Sequence, residues 1–222
     1  YDIEILKKET GGKYFNIIKN SFLSEYESVM NIDVPSDYQF KDDDGIVSPP
    51  NLMQKLFSYR VLKNKIYGNW SSMGAGKTLS GILPARIVNA KNTLIITFNS
   101  NVDDWERCIS SAFPENSKIY KKNANIKKKC NSDFNYFIFN YEAFQNENAK
   151  KLTESILENS IDFIILDEVH MIKQRFKNNA SNRNYEIGKM LKTIECKNKK
   201  LGKDFYKVFM SATPVINNLL EI

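Results

Sequence analysis

In the first thirty residues Phe15, Ile18, Phe22, Tyr26 and Met30 stand three or four positions apart. That spacing lines one face of an amphipathic helix. The stretch KDDDGIVSPP, residues 41–50, replaces the pattern with an acidic run, Gly45 and two prolines, the composition of a linker. Residues 1–45 therefore read as a helical extension and acidic linker, and residues 46–222 as the main domain.

From residue 50 onward helix-like and strand-like segments alternate. NLMQKLFSYRVLKN, TLSGILPARIVNA, VDDWERCISSAF, AKKLTESILEN and NYEIGKMLKTI read as helices, with Pro84 bending the second. KIYGNW is a short, weak strand. NTLIITF, NYFIFNY, DFIILDEVH and YKVFMSATP are strands carrying unbroken apolar runs. Unbroken runs belong to strands covered on both faces, and intervening helices supply the crossovers of a parallel sheet. The prediction is an α/β domain with a mostly parallel sheet. Two lysine-rich stretches, YKKNANIKKKCNS and CKNKKLGK, read as solvated loops, with a nucleic-acid contact as the alternative.

The 222 residues allow one domain or two small ones. No apolar run approaches the ~20 residues that cross a bilayer, so no membrane partner is expected. Tyr1 opens the chain, which reads as a piece of something longer. The formal charge of +6 permits a polyanionic partner without demanding one. Cys108, Cys130 and Cys196 are scattered and lack metal-site spacing, which points to a reducing, intracellular setting, cytoplasmic or nuclear. His170 is the single histidine.

The chemistry lies in two motifs. SSMGAGKT, residues 71–78, approximates a phosphate loop, with Ser71 where the strict signature has glycine. Met73, Gly74, Ala75 and Gly76 would curl backbone N–H groups around phosphates. Lys77 would reach the outer phosphates as a point charge, and Thr78 would offer a hydroxyl to magnesium. In DFIILDEVH, a run of four apolar residues ends in Asp167 and Glu168, 90 positions after Lys77. Ligands of open parallel sheets bind at that end of the strands. Asp167 is placed to hold Mg²⁺, directly or through water, and Glu168 to orient and deprotonate an attacking water. His170 would link this site to the hydroxyls of Ser211 and Thr213 at the last strand's end. ATP and Mg²⁺ are the expected cofactors.

GxGKT, DEVH and SAT in this order resemble superfamily-two helicases and translocases. TLIITFNSNVDDWERCI, with Trp105 opening a helix, is similar to the corresponding segment of chromatin-remodeller-type translocases. So are Tyr141–Glu142, DEVHMIKQ with Lys173, and SATPVINNLLEI with Pro214, Asn217 or Asn218, and Glu221. Gln54, 23 residues before Lys77, resembles the glutamine that reads adenine in these enzymes. The resemblance covers residues 50–222. Two positions depart from it: Ser71 stands where the family has alanine, glycine or aspartate, and Phe98–Asn99–Ser100 where proline often follows the strand.

The resemblance implies a RecA-like three-layer sandwich, the first of two motor lobes. It implies an ATP hydrolase acting on nucleic acid, most readily duplex DNA. A second lobe carrying arginine fingers would lie beyond Ile222. Other readings are a restriction motor, a viral transcription ATPase, a strand-separating helicase, or a RecA-like scaffold that binds nucleic acid without turnover. A small-molecule kinase would share the phosphate loop but has no need of DEVH or SAT.

Overall fold

The computed structural model describes residues 14–41, 44–121, 133–145, 148–172 and 182–213, together with Lys8. Lys173, Pro214, Asn217, Asn218, Glu221 and most of the first lysine-rich stretch lie outside the described residues.

Helix α1 (Phe15–Met30) is followed by α2 (Leu52–Asn64), β1 (Ile66–Asn69), α3 (Lys77–Ile87), β2 (Asn92–Thr97) and α4 (Val102–Ala112). Then come β3 (Ser117–Lys121), β4 (Phe134–Asn140), α5 (Ala149–Glu158), β5 (Phe163–Asp167), α6 (Asn182–Lys200) and β6 (Tyr206–Met210). The sheet order is β1-β6-β5-β2-β4-β3, and each adjacent pair is parallel. The unbroken apolar runs thus form the interior strands.

Alternation within those runs divides the core. Ile95, Ile138, Ile165 and Val208 pack with Val61, Ile82, Leu83, Trp105 and Ile109 of α2, α3 and α4. Leu94, Ile96, Phe137, Phe139, Ile164 and Leu166 pack with Ile156, Ile187, Met190 and Ile194 of α5 and α6 on the opposite face. Because side chains alternate along a strand, one run feeds both helical layers. The result is a three-layer sandwich.

Three details differ from the sequence expectation. Ser117–Lys121 pairs in parallel with β4 as an edge strand, although the lysine-rich pattern from Tyr120 on predicts a loop; a sheet edge tolerates lysines. Helix α6 runs to Lys200, so Cys196–Lys200 is helical rather than loop. The apolar stripe of α1 stays largely in solvent, with Phe22 64% and Ile18 50% exposed. The helix docks instead through buried Val29 and a Glu25–Arg60 ion pair of 2.6 Å.

The segment between α1 and α2 is tied to the lobe. The Gln39 N–H donates to the Ala112 carbonyl at 2.9 Å, and Tyr38 packs edge-on against Phe113. Asp37 pairs with the buried guanidinium of Arg86, which lies 3.4 Å from the Phe134 ring centroid and 4.6 Å from that of Phe113. Arg86→Ala removes this packing and strands Asp37. The expected loss is about 3 kcal/mol of unfolding free energy, read from the midpoint shift in urea; a shift near zero would show the anchor to be incidental.

Candidate nucleotide site

The site forms where β1, β5 and their neighbours end. Asn69, the last residue of β1, accepts from the Ser71 N–H at 3.1 Å and from the Ser71 hydroxyl. Serine at this position therefore fastens the start of the loop to the strand, a physical reason for the departure from glycine. Gly74 and Gly76 adopt φ of 77° and 75°, the left-handed region open to glycine at little cost. A Cβ on Gly76 would also stand 2.7 Å from the Gln54 side-chain nitrogen.

Gly76 is the N-cap of α3 and offers no side-chain cap. The first N–H groups of α3 thus lack intrahelical partners and carry the positive end of the helix dipole. The Lys77 ammonium donates to the Ser71 and Ser72 carbonyls at 3.0 and 2.9 Å. It closes the loop on itself in a position from which an anion can draw it away.

A cleft of about 480 Å³ faces this loop, lined by Met73, Gly74, Gly76, Lys77, Thr78, Asn101, Asp104, Trp105, Asp167 and Glu168. Loop and acidic strand end, far apart in sequence, thus share one cavity. Asp167 is only 6% exposed. Its Oδ2 accepts from the Thr97 hydroxyl at 2.8 Å and the Trp105 indole N–H at 3.0 Å, and its Oδ1 from the Glu168 N–H at 3.0 Å. The Tyr141 hydroxyl donates to its carbonyl at 2.6 Å.

Glu168 has φ of 50°, a conformation that costs a non-glycine residue about 1–3 kcal/mol. Its Oε2 accepts from the Ser211 hydroxyl at 3.0 Å and lies 3.2 Å from His170 Nδ1. His170 Nδ1 is also 3.1 Å from the Ser211 oxygen. The three side chains make a compact triangle joining the end of β5 to the end of β6. His170 is not among the residues that line the cleft.

Two further expected residues sit elsewhere. Ala75 lines a separate cleft of about 210 Å³ with Met53, Phe57, Arg60, Tyr67 and Trp70. Gln54 is buried beneath Gly76 and closes a capping box at the start of α2, its Oε1 accepting from the Asn51 N–H at 2.8 Å. Four residues of the setting were missed as site residues: Thr97, Asn101, Asp104 and Trp105. Thr97 ends β2 beside β5 in register, so strand adjacency was the signal, and the sequence pattern alone does not supply it.

Among the described residues no cluster of three or more His, Cys, Asp or Glu side chains gathers to hold a metal. Thr78 and Asp167, both in the cleft lining, would instead offer a hydroxyl and one carboxylate. That hard-oxygen donor set suits Mg²⁺, which keeps waters and binds phosphate oxygens rather than an all-protein cage.

A glycine loop opening a helix and facing two adjacent carboxylates at the end of one strand of a parallel sheet defines a P-loop lobe of RecA type. The family model described as type III restriction enzyme, res subunit, matches residues 49–216, and the chain belongs to that family. The architecture is that of a first RecA-like lobe of superfamily-two helicases and translocases.

The SWI2/SNF2 ATPase core of Sulfolobus solfataricus in complex with dsDNA is similar over 85% of this chain and 36% of that one, with TM-score 0.57 and 19% identity. The same organism's SWI2/SNF2 ATPase core domain is similar over 83% and 34%, with TM-score 0.53 and 19% identity. The chain thus spans about a third of the solved chains it matches. None of the curated protein sequences matches it.

Proposed function

We propose that this chain is the ATP-binding lobe of an intracellular motor that translocates on duplex DNA. The carrying observation is the shared cleft: Lys77 and Thr78 of the phosphate loop line the same cavity as Asp167 and Glu168. A phosphate-binding scaffold has no need of a second carboxylate there. The N–H groups of the loop and of α3 bind the phosphates, and Lys77 leaves its loop carbonyls for the outer ones. Thr78 and Asp167 would hold Mg²⁺, which when bound screens the charge on the phosphate oxygens. Glu168 takes the proton of the attacking water. The Ser211–His170 pair holds Glu168 and couples it to the end of β6. Gln54, from beneath Gly76, reads the adenine edge.

The dsDNA in the similar archaeal core supports duplex DNA as the partner, and a second RecA-like lobe supplies the facing wall. Within this reading, the type III restriction family match favours a restriction motor as the biological setting, alongside the remodeller-like motifs.

Lys77→Ala tests the nucleotide site. Its affinity for Mg-ATP, by calorimetry, is expected to fall at least about tenfold, the loss of one charge-assisted phosphate contact. The circular dichroism spectrum should be unchanged, since Lys77 bonds only loop carbonyls. Equal affinities in variant and wild type would remove the site from the cleft.

A further inference from the structure

We propose that Trp105 is a positioning residue of the magnesium site: its indole N–H, with the Thr97 hydroxyl, locks the Asp167 carboxylate in the orientation that meets the metal. The proposal rests on the reading of Asp167 as the metal-holding carboxylate.

The lone pairs of Asp167 carry the argument. An ionised carboxylate offers about four acceptor sites, two on each oxygen. Oδ2 has both filled, by Thr97 at 2.8 Å and Trp105 at 3.0 Å. Oδ1 has one filled, by the Glu168 N–H at 3.0 Å. Counting the bonds from the described residues, a single acceptor site is left, on Oδ1, for the cleft. The carboxylate cannot turn about its last bond without breaking three hydrogen bonds.

The indole is itself held. Trp105 is 1% exposed, and a Cβ on Gly81 of α3 would stand 3.0 Å from its ring. Helix α3 also carries Lys77 and Thr78. The tryptophan therefore transmits the position of the phosphate-loop helix to the carboxylate at the end of β5, and it lines the cleft besides. A core tryptophan kept only for volume would not need its one polar atom aimed at this carboxylate. Partners that orient a metal ligand from behind typically govern metal affinity by about 10–100-fold.

The test separates metal from nucleotide. Binding of a fluorescent ATP analogue to the chain is titrated first in EDTA and then against Mg²⁺. For Trp105→Phe the half-saturating Mg²⁺ concentration is expected to rise about tenfold, with Mg-free affinity within about twofold of wild type. A purely structural tryptophan would weaken both equally or neither, and either result overturns the proposal.

Should Trp105→Phe fail to fold, a benzothienyl analogue replaces the indole N–H by sulfur at nearly constant shape. It is incorporated in a Trp70→Phe background, and the same shift is expected. Asp167→Asn is the companion. If it weakens Mg²⁺ dependence while the Trp105 replacements do not, the positioning role is wrong and the site assignment stands. If Asp167→Asn also leaves Mg²⁺ dependence unchanged, the assignment of the metal site falls, and the positioning role with it.

Discussion

Replacing Glu168 by glutamine is expected to leave nucleotide bound and to slow its hydrolysis by about 10²–10⁴-fold, the range of a lost general base. The glutamine keeps the shape and can still accept from Ser211. What it loses is basicity at the oxygen that does not face Ser211 and His170. The residue is held in a left-handed conformation by bonds at both ends, the Glu168 N–H to Asp167 and the carboxylate to Ser211. Strain of this kind persists only where the surroundings over-determine it, consistent with a carboxylate set at a fixed place. The measurement is single-turnover hydrolysis in a protein carrying both motor lobes, with a binding titration alongside. Unchanged turnover would transfer the role to Asp104, the carboxylate that lines the cleft besides Asp167 and Glu168.

The central strands were legible because burial on both faces leaves a sequence mark. Phe163–Leu166 and Thr93–Thr97 are unbroken apolar or small runs, and the structure places them side by side. Their C-terminal residues then had to converge, so Asp167 could be assigned to the cleft from sequence.

The edge of the sheet left no such mark. Ser117–Lys121 is half-exposed and shares its lysines with the loop beyond it. Helix α1 misled in the opposite sense: its period is helical, and the helix forms, but the regular stripe is not the face that docks. Periodicity reports a helix without saying which side finds a partner. The bond between Trp105 and Asp167 was illegible for a third reason, since it joins residues 62 positions apart, one on α4 and one at the end of β5, and no local pattern states that these elements meet. Gln54 shows the same limit. Its place beneath Gly76 is a tertiary fact, and its capping role at Asn51 is a local one that the N-x-x-Q spacing does announce.

This chain on its own is expected to bind nucleotide weakly and to turn it over about 10³–10⁵-fold more slowly than a complete motor, the worth of an arginine finger in related phosphoryl transfers. Every group assigned to chemistry lies on one wall. Of the arginines whose side chains are described, none lines the cleft: Arg60 pairs with Glu25, Arg86 with Asp37 and Arg107 with Asp104. Arg107 is the nearest in sequence to a cleft residue, and its exposed partner Asp104 offsets its charge. Among the described side chains lining the cleft, charge developing on the outer phosphate in the transition state therefore meets one cation, Lys77. The nucleic-acid track should be equally incomplete, so duplex DNA is expected to bind weakly, to be released steeply by salt, and to stimulate hydrolysis little. Steady-state ATPase assays of residues 1–222, with and without duplex DNA at low salt, decide the matter. Fast, DNA-stimulated turnover by the lobe alone would mean that the cleft already holds a complete site, and Arg107 would then be the first residue to replace.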